Sequence, residues 1–244
     1  MHPHAARSLL DKPTLSAQVA RHLIALVANQ QMRPGDAVPS EIQIGLDLKI
    51  SRGSVREAYR TLAALGILEI AGGRKPRLRT IDASVLAQVF DYALTTEQVT
   101  VAHALETRRA LELQTAQLAA RYASDEQRQT LRELVAQMRA AGADHAHRVA
   151  ADLAIHSVIA EASANPLNSL LLGALQAPRE ASSRMHLADT RSAVELTRVI
   201  DAHEAVVERI CAGDAVGATS AMSYHFDLAM VHVQRQEGRG PVVT

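Results

Sequence analysis

The chain has no tryptophan and only one cysteine, and its aromatic residues are four tyrosines and two phenylalanines in 244 positions. With Cys211 alone, no intrachain disulfide can form, and a reducing interior is compatible. No apolar run approaches membrane-spanning length, and the opening MHPHAARSLLDKP lacks the apolar core of a signal peptide. There is no internal repeat and no low-complexity tract. These absences leave a soluble globular protein with no membrane partner, expected in the cytoplasm. The formal net charge is zero, so the whole-chain balance names no partner.

What is present is Ala, Leu, Arg, Gln and Glu, all good helix formers, in a chain long enough for two modest domains. The zero charge resolves into opposite halves. Residues 1–80 carry 12 Lys and Arg against 6 Asp and Glu, and residues 81–244 carry 14 against 20. A basic first third and an acidic remainder suggest a nucleic-acid module joined to a module with another task. The ends, about 1–12 and 236–244, read as loose and polar.

In the first module, expected over 13–80, a helix over 14–31 would turn Leu15, Val19, Leu23, Ile24, Leu26 and Val27 inward. It stops at Met32-Arg33-Pro34-Gly35-Asp36. Residues 39–65 then read as two short helices joined by a tight turn. Ser40 caps the first, with Gln43 completing a capping box, and Ser51 caps the second. On the second, Arg52, Arg56 and Arg60 share one side, while Val55, Ala58, Tyr59, Leu62 and Leu65 form an inward arc. Ser51, Arg52, Gly53 and Ser54 fall in its first turn, where free N–H groups and the helix dipole favour a phosphate. After Gly66, residues 67–70 and 78–81 read as short strands. Between them lies Gly72-Gly73-Arg74-Lys75-Pro76-Arg77, a basic tip able to reach phosphates or the minor groove. Any one Arg here could be an ordinary solvated charge. Two basic segments around a helix-turn-helix pattern point to DNA.

The run MRPGDAVPSE…SRGSVREAYRTLAALGILEIAGGRKPRLR resembles the winged helix-turn-helix of the GntR family of bacterial transcription regulators. The resemblance implies that Ser51, Arg52, Ser54 and Arg56 contact a DNA operator and that Gly73 approaches its backbone. Ser40 and Gly53 at the helix starts and Arg74 and Lys75 on the wing complete the expected DNA-binding set. The family often places Arg directly after the Glu of Pro-Ser-Glu, or two residues after it. Here Ile42-Gln43 stand there, so that contact is missing.

The second module, expected over 82–236, reads as helix throughout. Its spans are about 83–94, 99–123, 125–141, 144–163, 166–175, 178–189, 192–212 and 214–235, with Gly142, Asn165-Pro166, Pro178 and Gly213 as breakers. Short connections between amphipathic helices imply an all-α antiparallel bundle. Three of the inward stripes contain groups that an apolar core does not favour. Asp152 and His156 lie among Val149, Leu153, Ile159 and Ala160; His203 lies among Val199, Ile200, Val206, Val207 and Ile210; His225 lies among Ala218, Ala221, Met222, Leu228 and Ala229. Each imidazole alone reads as a hydrogen-bonded core residue. A carboxylate and an imidazole at i and i+4 face the same way, and with two further imidazoles they form a candidate divalent-metal site. Zn²⁺ suits the ligand types best, and Ni²⁺ or Mn²⁺ are credible. His2, His4, His22, His103, His145, His147, His186 and His232 show no such pattern and read as surface or packing residues.

Glu106-Thr107-Arg108-Arg109-Ala110-Leu111-Glu112, Asp152-Leu153-Ala154-Ile155-His156, His203-Glu204-Ala205-Val206-Val207 and the segment from Gly213 to His225 are similar to the FCD ligand-binding domain. That domain marks the FadR subfamily of GntR regulators. The resemblance implies a metal on Asp152, His156, His203 and His225, and it brings in Arg108 as part of an effector-carboxylate clamp. Arg108 could equally pair with Glu112 at i+4, and both contacts can coexist. The fold class expected is therefore mainly α: a winged helix-turn-helix with a small β-hairpin, then an all-α bundle. The function expected is a homodimeric regulator, most simply a repressor, reading a palindromic double-stranded operator under control of a small organic acid. The competing reading is a metal-dependent hydrolase or isomerase with an accessory DNA-binding domain.

Overall fold

A hydroxyl oxygen opens each of the first three helices. Thr14 accepts the Ala17 N–H at 3.2 Å ahead of α1 (Leu15–Asn29), Ser40 accepts Gln43 at 3.2 Å ahead of α2 (Glu41–Leu48), and Ser51 accepts Ser54 at 3.3 Å ahead of α3 (Arg52–Ala64). The Gln43 side chain does not return to Ser40, so the expected capping box is incomplete; it reaches forward to Asp47 Oδ1 at 2.7 Å. This computed structural model describes residues 13–188, 193–236 and 238. The two ends read as loose, together with His2 and His4, lie largely outside those residues, as do the expected helix bounds at 189 and 192.

The chain divides into two compact units, 1–85 and 86–244. In the first, Val55, Ala58, Tyr59 and Leu62 of α3 pack on Val19 and Leu23 of α1 and on Ile44 of α2. Several residues of the expected stripes stay outside this core. Leu65 is 52 % exposed because it caps α3 rather than completing a turn, and Leu15 and Ile24 are also exposed. The Tyr59 hydroxyl donates to the Pro39 carbonyl at 2.5 Å and ties α3 to the turn ahead of α2. Strands β1 (Leu68–Glu69) and β2 (Arg77–Leu78) pair antiparallel, Leu68 opposite Leu78 and Glu69 opposite Arg77. Residues 35–38 run beside β2, with Gly35 N–H to Leu78 O at 2.8 Å and Val38 N–H to Pro76 O at 2.9 Å, and so brace the wing.

After α4 (Ser84–Thr95), which crosses the division, the second unit is all helix: α5 (Val101–Tyr122), α6 (Asp125–Ala140), α7 (His145–Ala162), α8 (Pro166–Ala174), α9 (Gln176–Ala188), α10 (Ala193–Cys211) and α11 (Ala215–Gln236). Helix α5 packs on α11, α7, α9 and α10, so it is the central strut. Pro178 is not a breaker. It is the third residue of α9, in the first turn, where a proline leaves no required N–H missing. Mainly α, with one two-stranded hairpin among the described residues, is the architecture observed.

Candidate functional site

On the first unit, Ser51, Arg52, Gly53 and Ser54 form the capped start of the 13-residue α3. Only the Ser51 hydroxyl lies within 4 Å of a side chain added at Gly53, at 3.9 Å, so the surface there is open. Arg52, Arg56 and Arg60 are exposed along one side. Arg56 has one long ion pair, 3.6 Å to Glu41, and its side chain stays 60 % exposed. Ser40, which starts α2, is partly buried. Gly73 has φ of +73° at the wing tip, a conformation that suits glycine, with Arg74 and Lys75 exposed beside it. Arg77 is used differently from its neighbours. Its guanidinium donates to the Gly35 carbonyl at 2.5 Å while the residue stays exposed.

In the second unit, Asp152 and His156 project from one face of α7, His203 from α10 and His225 from α11, all nearly inaccessible to solvent. One ligand-type atom from each lies within 4.8 Å of the other three. His203 has Nδ1 2.8 Å from the Val199 carbonyl and Nε2 2.7 Å from Asp152 Oδ1. Both nitrogens face acceptors, yet a neutral imidazole carries one proton. A neutral ring therefore satisfies one contact only, and the other needs either a second ring proton or a cation shared with the carboxylate. His156 Nε2, 3.9 Å from Asp152 Oδ1, and His225 Nδ1 are buried with no hydrogen-bond partner. Left that way, each costs roughly 1–3 kcal/mol of unrecovered desolvation. Three imidazole nitrogens and a carboxylate oxygen this close together fit a divalent metal.

The electrostatics agree with this. Burial would raise the Asp152 carboxyl, but the hydrogen bond from His203 and the nearby imidazoles hold it well below the usual range. Burial, then the neighbouring imidazoles, keep His225 neutral with its pKa far down. An ionised carboxylate and a neutral ring are the forms that ligate metals.

Around these four residues lies a polar wall. The Ser183 hydroxyl donates to Asp152 Oδ2 at 2.5 Å. Arg108, 3 % exposed, donates from Nε to Glu112 Oε1 at 2.9 Å and from Nη1 to Ser182 at 2.7 Å, and its guanidinium carbon lies 5.4 Å from the Phe226 ring centre. The pairing with Glu112 is thus present, and Arg108 still borders the cavity with Asp152, His156 and His225. That cavity measures about 10 Å³, room for one water-sized occupant.

Two residues that the sequence reading passed over belong here. Glu112 is wholly buried against His156 Nδ1, and His186 lines the same cavity with neither ring nitrogen hydrogen-bonded. His232 is also buried, its ring centre 4.9 Å from that of His186, whereas His22, His103 and His147 are exposed.

A helix-turn-helix with a wing, followed by a helical unit with a buried Asp-His cluster, has counterparts. Residues 15–75 match "Bacterial regulatory proteins, gntR family", and residues 103–228, half the chain, match the FCD domain. The chain belongs to the GntR family. Its FCD unit sets it in the FadR-like branch. Among GntR relatives, it is 28 % identical over 208 residues to HTH-type transcriptional regulator LutR of Bacillus subtilis (strain 168), covering 82 % of this chain and 92 % of that protein. It is 31 % identical over 227 residues, covering 89 % and 85 %, to an Escherichia coli (strain K12) protein whose name provisionally makes it the regulator of an L-lactate dehydrogenase operon. The solved structure of Streptococcus agalactiae GntR superposes with a TM-score of 0.67 at 25 % identity, over 88 % of this chain and 98 % of that one.

This GntR-family protein is a DNA-binding transcriptional regulator with an FCD effector-binding domain. Its relatives are regulators and not enzymes, which overturns the hydrolase or isomerase reading. Among the described residues no helix is long and apolar enough to cross a membrane.

Proposed function

We propose that this protein is a repressor released by a small organic acid, which binds at a divalent metal held by Asp152, His156, His203 and His225. The observation carrying the proposal is the set of four buried ligand-type atoms within 4.8 Å of one another, with His203 facing a carbonyl through Nδ1 and the Asp152 carboxylate through Nε2. Zn²⁺ suits three imidazoles and a carboxylate best, with Ni²⁺ or Mn²⁺ as the other fits. A bound ion would supply a Lewis-acidic centre for an anionic oxygen ligand. Arg108 then presents the charge that orients a carboxylate.

The cavity supports a switch. At about 10 Å³ the cavity is smaller than an organic acid, so in this reading the acid binds a wider conformation. A ligand that fits one state and not the other shifts their populations. In a homodimer, a changed subunit arrangement would misalign the two recognition helices with a palindromic operator. The DNA contacts in this reading come from Ser40, Ser51, Arg52, Gly53, Ser54, Arg56, Gly73, Arg74 and Lys75, acting in the cytoplasm. The relative named for an L-lactate dehydrogenase operon supports trying hydroxy acids first.

The test is an electrophoretic shift with DNA from upstream of the protein's own coding sequence and a panel of 2-hydroxy and dicarboxylic acids. The expected result is a complex that one acid dissolves with metal-loaded protein and not with chelator-treated protein. A complex that no acid disturbs, or an acid consumed by the protein, would overturn it.

A further inference from the structure

Arg108 and Glu112 stand one turn apart on α5, and both are buried. A carboxylate only accepts hydrogen bonds, and a guanidinium only donates them. Arg108 Nε occupies Glu112 Oε1 at 2.9 Å. Glu112 Oε2 meets His156 Nδ1 in a short contact, and across such a contact the proton must sit on the imidazole. In the neutral form, the one in which an imidazole ligates a metal, the single proton is then on Nδ1 and Nε2 carries the lone pair. That atom has no hydrogen-bond partner and lies 3.9 Å from Asp152 Oδ1.

We infer that Glu112 is a positioning residue of the metal centre: it holds His156 as the Nδ1–H tautomer, with the Nε2 lone pair turned toward Asp152. This rests on the metal reading above. His203 is oriented in the same way by the Val199 carbonyl of its own helix, an acceptor that no side-chain substitution can remove. Glu112 is the equivalent acceptor made from a side chain, so its role can be tested.

Replacing Glu112 by glutamine keeps the shape and reverses the logic. Arg108 Nε can only donate, so it takes the amide oxygen, and the amide NH₂ is left facing His156 Nδ1. That nitrogen must then accept, and the ring proton moves to Nε2, the atom needed for the ion. The opposite amide orientation would set NH₂ against the Arg108 N–H.

The experiment uses full-length, chelator-treated protein with ¹⁵N-labelled histidine, His156 signals being assigned by loss in a His156→Gln variant. Long-range ¹H–¹⁵N correlation should show the Nδ1–H form in the wild type and the Nε2–H form in Glu112→Gln. Zn²⁺ titration against a chromophoric chelator should show roughly 10–100-fold weaker binding by the variant. Nδ1–H in both proteins with equal Zn²⁺ affinity would overturn the role of Glu112 alone. A wild type that takes up no ion would overturn the metal reading and this role with it. If Glu112→Gln does not fold, an Nε2–H tautomer in the wild type would still refute the inference, and Nδ1–H would support it.

Discussion

Asp152 Oδ1 and His203 Nε2 meet at 2.7 Å across 51 residues of sequence, joining α7 to α10 inside the helical unit. The Val199 carbonyl behind the ring takes up Nδ1 and leaves Nε2 to the carboxylate or to an ion shared with it. It follows that His203→Ala should remove the ion and the acid response while operator binding persists, since the residues proposed to read DNA lie in the other unit. Metal analysis together with anisotropy titrations of operator DNA checks this. Normal metal content in the variant would count against the site.

On α3, Arg56 has one long ion pair, 3.6 Å to a Glu41 carboxylate at the surface. Such a pair contributes little and leaves the guanidinium available to a base edge. Arg56→Ala should weaken operator binding by roughly 1–3 kcal/mol. Lys75→Ala on the wing should instead lower the salt dependence by about one unit of slope with little change in sequence preference. Unchanged operator affinity in the Arg56 variant would refute base reading.

Much of this was legible because the signals were local. Ser40 and Ser51 as caps, Pro166 after Asn165 and the glycines at 142 and 213 mark helix ends without reference to the rest of the fold. Asp152 and His156 share a face by spacing alone. Glu112 was less visible, because Arg108–Glu112 at i+4 has the pattern of a surface ion pair. Only the packing of α7, α9 and α11 around α5 shows that it is buried. His186 was hidden in the same way. Helix α9 also carries Arg179, Glu180 and Arg184 and reads as solvated, yet Arg179 is buried too, donating to the Leu153 carbonyl at 3.0 Å.

His186 tests whether that buried ring does anything in the metal-free protein. Both nitrogens are sequestered without hydrogen bonds, a cost that leucine at the same position avoids. His186→Leu should therefore stabilise the chelator-treated protein by roughly 1–3 kcal/mol in urea unfolding. A loss of similar size would show that the ring holds a favourable contact.

The pH dependence of the metal-free protein has a definite sign. Burial, against the opposing pull of the Asp152 carboxylate, lowers His186 from 6.5 to about 3, and burial with the neighbouring imidazoles lowers His225 well below 6.5. Glu112 falls from 4.5 to about 2, with His156 and Arg108 outweighing its burial. Each folded-state value is below the unfolded one, so on acidification the unfolded chain binds protons first. Stability should hold above 6.5, decline below it through the imidazoles, and decline further below 4.5 through Glu112. Thermal unfolding followed by circular dichroism between pH 8 and pH 4 checks this. A melting temperature that rises on acidification would contradict it.

X-ray absorption of the purified, metal-loaded protein tests the metal centre most directly. One ion per chain, with multiple scattering from three imidazoles, oxygen in the remaining first shell and no sulfur, is the result predicted. An ion bound without imidazole scattering, or no retained ion, would contradict the account.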